Sequence, residues 1–139
     1  MGKMNWGRVV LCGIVAGTVY TILGVFLSYF ALQETGFVQA NLTGYRRAPW
    51  NILSNFILNL MAGVWTIWLY ASIRPRYGPG LKTAVMAGVA AWLLIIVIVV
   101  QLASVQVIPL PLRALVIPAA AFLLVWVVAS VVGAWQYKE

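Results

Sequence analysis

The sequence predicts an all-α integral membrane protein, a four-transmembrane-helix bundle, on three observations. Of its 139 residues, 64% are hydrophobic and only 8% charged, against roughly 25% charged in an ordinary soluble domain. The apolar residues form four continuous runs, 9–32, 52–73, 83–107 and 112–135, each long enough as helix to cross a hydrocarbon core about 30 Å thick. Charge, proline and glycine gather between the runs. A soluble fold of this size must cover itself with polar side chains, and too few exist here, so lipid is the solvent. No run alternates as a barrel strand does, which makes the spans helical and the chain 1–139 a single membrane domain.

The first run follows Lys3 and Arg8. It exceeds the roughly 7 to 15 apolar residues of a secretory signal core and is read as a span. Val10 and Leu11 precede Cys12, unlike a lipoprotein cleavage site, and Trp6 stands where myristoylation requires Ser or Thr. Cys12 is the only cysteine, so an intrachain disulfide is impossible and an inert core position is expected. Gly13 and Gly17 form a small-xxx-small pair that continues through Thr21, Gly24 and Ser28, a face that lets another backbone approach closely.

The connection at 33–51 carries the turn formers Gly36, Asn41, Gly44 and Pro49 with the aromatics Tyr45 and Trp50, consistent with a short amphipathic piece along the interface. In the second span Asn51, Asn55 and Asn59 recur every four residues, then Gly63, with Tyr70 seven further on. That spacing places them on one slowly rotating face. An unpaired amide in hydrocarbon is costly, so the face meets another helix or a hydrated crevice. Two readings stand: interhelical hydrogen bonds, or the lining of a permeation or ligand path.

The next connection, RPRYGPGLK at 74–82, reads as a tight basic turn in which Pro75 and Pro79 stop the helix and Gly78 and Gly80 supply positive φ. Arg74, Arg76 and Lys82 are expected at lipid headgroups. The third span repeats the small-residue pattern at Ala84, Gly88 and Ala91, and Gln101, Ser104 and Gln106 add polarity that would face the Asn stripe if the helices are adjacent. A proline-broken hairpin at 108–113 leads to the fourth span, with Pro118 near its start and Ala129 and Gly133 on its packing side. Trp6, Trp50, Tyr77, Trp135 and Tyr137 fall at span ends, where an amphipathic ring buries its body and wets its edge. Trp65, Trp68, Trp92 and Trp126 lie deeper, as bulk or as stacking partners for a flat pigment or quinone. Gly63-Val64-Trp65 and Gly133-Ala134-Trp135 echo one another, as two duplicated hairpins or by chance in a Gly- and Ala-rich chain.

The nine basic residues and two acids give a net charge of +7. Placing the N-terminus in the cytoplasm puts Lys3, Arg8, Arg74, Arg76, Lys82 and Lys138 inside, against Arg46, Arg47 and Arg113 outside, which favours both termini inside. Because the charges flank apolar runs, they read as lipid anchors and not as a nucleic-acid surface.

The chain has no histidine and no aspartate, and its acids are Glu34, at a span end, and Glu139. No acid–base pair, nucleophilic triad or metal cluster can be assembled from these, and no cofactor is implied. Proton-driven transport, which uses a carboxylate or histidine near the midplane, does not fit either.

The turn at 74–84, the preceding Trp68-Leu-Tyr-Ala71, the opening Arg8-Val-Val-Leu-Cys-Gly13 and the closing stretch from Gly133 resemble a group of small bacterial four-span proteins of unknown function that carry an RPR[YF]GPG-x-KTA turn. The resemblance implies a bacterial inner-membrane setting and supplies no activity. Members of that group carry a more polar first span, often with an acid; residues 20–27 have none, so no role for that acid carries over. The function expected from the residues is a non-enzymatic membrane protein acting through helix packing, as a homo-oligomer or an accessory subunit beside other membrane helices. The alternatives are a small channel or carrier for a neutral or anionic solute, with Asn55 and Asn59 on its path, and binding of a lipid, quinone or pigment between helices.

Overall fold

Asn5 opens the first helix: its Oδ1 accepts the Arg8 N–H at 3.1 Å and its carbonyl accepts the Val9 N–H at 3.0 Å. This cap satisfies donors that a helix start leaves without an intrahelical partner. The computed structural model describes residues 4–30, 49–104 and 112–137, without the side chains of Phe30, Pro49, Asn51 and residues 102–104 and 112–115. The expectations for Glu34, Arg46, Arg47, Gln106, Arg113 and the side chains of Asn51 and Ser104 therefore lie outside the described residues, as do those for the two loops at 31–48 and 105–111.

Four helices make up the described residues, with no strand among them: α1 (Trp6–Phe30), α2 (Pro49–Tyr77), α3 (Leu81–Ser104) and α4 (Leu112–Gln136). Each is long and apolar enough to cross a membrane, and together they form an all-α, multi-pass bundle. Neighbouring helices in sequence run antiparallel, and α4 closes the ring against α1, with Tyr20 of α1 against Trp126 and Gly24 against Phe122.

The turn between α2 and α3 corrects one expectation. Pro75 does not stop α2, which runs on to Tyr77 with Pro75 inside its last turn. There the proline removes one hydrogen bond without breaking a long run behind it. The stop comes at Gly78, whose φ of 82° and N–H to the Arg74 carbonyl at 2.8 Å close the helix as a left-handed cap. Gly80, at φ 139°, completes the reversal. Thr83 Oγ1 then donates to the Gly78 carbonyl at 2.7 Å and fastens the start of α3 to the turn.

The basic end of the bundle, which carries Arg8, Arg74, Arg76 and Lys82, is tightly packed. Gly63 of α2 lies against the Gly13 carbonyl and the Gly17 N of α1, and a Cβ on Gly17 would sit 2.6 Å from the Asn59 carbonyl oxygen. A Cβ on Gly133 of α4 would meet Ile67 and Ala16 at 2.7 and 2.8 Å, and one on Gly88 of α3 would meet Ser130 at 2.9 Å. With no hydrophobic drive between helices in lipid, such backbone-close van der Waals contact holds them together. Ser130 Oγ adds a buried hydrogen bond to the Ala84 carbonyl at 2.7 Å, joining α4 to α3. Cys12 is buried here as a free thiol among Val9, Ala16 and Ile67.

Tyr137 corrects a second expectation. Trp6, Trp50, Tyr77 and Trp135 are exposed at span ends, but Tyr137 is 3% exposed, edge-on to Tyr70 at 6.0 Å with the Arg74 guanidinium 5.5 Å over its ring. The small Ala71, Ala84 and Ala134 around it leave room for a ring that a lipid interface would otherwise hold. Arg74 is accordingly turned partly inward, whereas Arg76 and Lys82 are exposed.

Candidate functional site

Away from the basic end the helices part. The buried large side chains, such as Ile67, Val9 and Tyr70, all belong to the packed half. In the other half α3 carries the bulky run from Leu93 to Val100, of which Leu93, Leu94, Val97 and Ile98 are exposed away from the cavity and Ile95, Ile96, Val99 and Val100 line it. The gap between the four helices is a cavity of about 560 Å³. Its size is that of a small-molecule site.

Its two walls differ in chemistry. On the α1–α2 side stand Thr21, Ser28, Asn55 and Asn59; on the α3–α4 side stand Ile95, Ile96, Val99, Val116 and Leu123. Among the described residues no charged side chain lines it. Asn59 Nδ2 donates to Thr21 Oγ1 and to Asn55 Oδ1, both at 3.2 Å, and Thr21 Oγ1 donates to the Gly17 carbonyl at 2.9 Å. The result is one hydrogen-bonded thread that begins in the cavity and ends on the α1 backbone.

Aromatic rings close the cavity toward the packed half. Tyr20 lies 4.7 Å from Trp126 and 6.3 Å from Phe122, centroid to centroid. Across the gap Trp92 Nε1 donates to the Ala119 carbonyl at 2.9 Å and braces α3 to α4 just past the buried Pro118. Beneath these rings lies a void of about 10 Å³, beside Gly63 and Ser130. The cavity is blind at that end.

The Asn stripe thus divides. Asn59 both joins α2 to α1 and lines the cavity, whereas Asn55 lines the cavity and reaches only Asn59. Gly13, Gly17, Gly63, Gly88 and Gly133 all sit at close approaches within the chain, while Gly24 lines the cavity, where a Cβ would make ordinary contact with Phe122 at 3.4 Å. Gln101, expected to face the stripe, is exposed and does not line the cavity. The preceding run of bulky residues turns that part of α3 outward. Of the deeper tryptophans, Trp65 stacks on Trp68 at 4.8 Å on the outside of the bundle, and Trp92 and Trp126 reach the cavity.

Tyr20, Phe122 and Pro118 are not site candidates on sequence alone, although Tyr20 and Thr21, with Thr18, are polar side chains near the middle of α1. Among the described residues no group of three His, Cys, Asp or Glu could hold a metal ion. No protein-family model matches the chain, and no curated protein or solved structure matches it.

Proposed function

We propose that this is a non-enzymatic protein that holds a small membrane-soluble molecule between its helices, set in a bacterial inner membrane with both termini in the cytoplasm. The observation that carries the reading is the blind cavity with one polar and one apolar wall, formed where the helices separate. Of the functions expected from sequence, binding between helices uses this feature most directly. Permeation is less well supported, because the packed half continues below Tyr20 and Trp126 with no comparable opening. Action as an oligomer or accessory subunit loses its motive in the glycine faces, five of whose six residues are engaged inside the chain.

The test is purification in mild detergent followed by native mass spectrometry and solvent extraction, on the wild type and on Val99→Trp, which fills the cavity. The wild type should carry a noncovalent small molecule that the variant lacks while unfolding at a similar temperature. Equal retention of the same molecule by both proteins would count decisively against the reading. Orientation is tested separately in a Cys12→Ala background: a cysteine placed at the exposed Leu81 should react with impermeant maleimide only after the cell is opened.

A further inference from the structure

The orientation of the two amides follows from hydrogen bonds alone. Thr21 Oγ1 gives its only hydrogen to the Gly17 carbonyl, so toward Asn59 it can only accept. Asn59 must then present its NH2 to Thr21, and the same nitrogen reaches Asn55. Asn55 in turn must present its oxygen to Asn59. An amide has one NH2 and one oxygen, and the thread leaves the Asn55 NH2 as the end that faces away from Asn59, on the cavity lining. Among the described residues it donates to no protein group.

Resting on the reading of the cavity as a ligand site, we propose that its occupant is an uncharged amphiphile presenting a carbonyl oxygen to the Asn55 amide. Three features require each part of that description. Among the described residues no charged side chain lines the cavity, and an ion moved into an apolar, unpaired setting is strongly disfavoured, so a neutral occupant fits these walls. The α1–α2 wall carries Thr21, Ser28, Asn55 and Asn59, whereas on the α3–α4 wall the Trp92 N–H is already taken by the Ala119 carbonyl, so the occupant is polar on one side and apolar against Ile95, Val99 and Leu123. Asn55 is exposed and lines the cavity with hydrogens that reach no described protein group, so an occupant that brings an acceptor satisfies them. Two membrane components share this chemistry: the ester of an uncharged glycerolipid and the head of a quinone.

Matched probes distinguish them. In lipid discs, tryptophan fluorescence follows binding of monooleoylglycerol against its oleyl ether, and of decylbenzoquinone against decyl-dimethoxybenzene. In one pair the carbonyl compound should bind roughly tenfold tighter, about the value of one hydrogen bond to a buried donor, and that pair identifies the source. The preference should fall to within about twofold in Asn55→Leu, or in Asn55→Ala if the leucine variant does not fold. If all four probes bind and neither pair discriminates, the carbonyl inference is overturned while the cavity remains a ligand site. If no probe binds, both fail. Cross-linking between two chains through a cysteine at Val99 would put a second copy in the cavity and overturn the proposal as well.

Discussion

Asn59 on α2 and Thr21 on α1 are joined by a hydrogen bond of 3.2 Å, at the level where the close contact of these two helices gives way to the cavity. In a double-mutant cycle of Asn59→Leu and Thr21→Val, the coupling should be about 0.6 kcal/mol and no more than about 1.7 kcal/mol, the range for such bonds between membrane helices. Unfolding in mixed micelles measures it. Strict additivity of the two variants would mean that the bond contributes nothing to the bundle.

The glycines divide into two groups by what a side chain would meet. Gly63→Val drives a branched side chain into the backbone of Gly13 and Gly17 and should cost about 3 kcal/mol or abolish folding. Gly24→Ala meets only Phe122 at 3.4 Å and should be neutral or slightly stabilising, since alanine is the better helix former by about 1 kcal/mol. Thermal unfolding of the two variants side by side is the check.

At Gly78 the constraint is backbone shape, not space, because nothing lies within 4 Å of the position a Cβ would take. Gly78→Ala should lose about 1–2 kcal/mol from forcing an L side chain to φ 82°. Gly78→Asn should lose less, since asparagine tolerates that region. Equal stability of all three proteins would show that the turn relaxes freely.

The Tyr137 hydroxyl is buried without a hydrogen-bond partner. Tyr137→Phe should therefore leave stability unchanged or raise it by up to about 1 kcal/mol. Tyr137→Ala, which removes the ring from between Tyr70 and Arg74, should lose about 3 kcal/mol or more. A clear loss in the phenylalanine variant would mean that the hydroxyl has a partner in the membrane.

The four spans were legible because continuous apolar runs of this length have few other solutions. Their ends were less so. Asn5 is an ordinary N-cap type, but the charged residue Arg8 inside the first turns drew the predicted boundary to Val9, and Pro75 seemed decisive until the glycine after it proved to set the stop. Both polar stripes, Gly13 to Ser28 and Asn51 to Gly63, were visible separately. Their register was not, because small residues along both faces permit several alignments, and only the placement of Asn59 beside Thr21 selects one. The cavity was hidden for a different reason: it is a space lined by residues of all four helices, and no single residue encodes it.

The unequal halves of the bundle give it the mechanics of tongs. The glycine crossing at Gly63 is the rivet, and about 21 Å of helix extends from it to Pro49. A tilt of only about 5° at the rivet would move that tip by about 2 Å. The far ends of the two helices can therefore shift by that much while the backbone contacts of Gly63 with Gly13 and Gly17 stay in place.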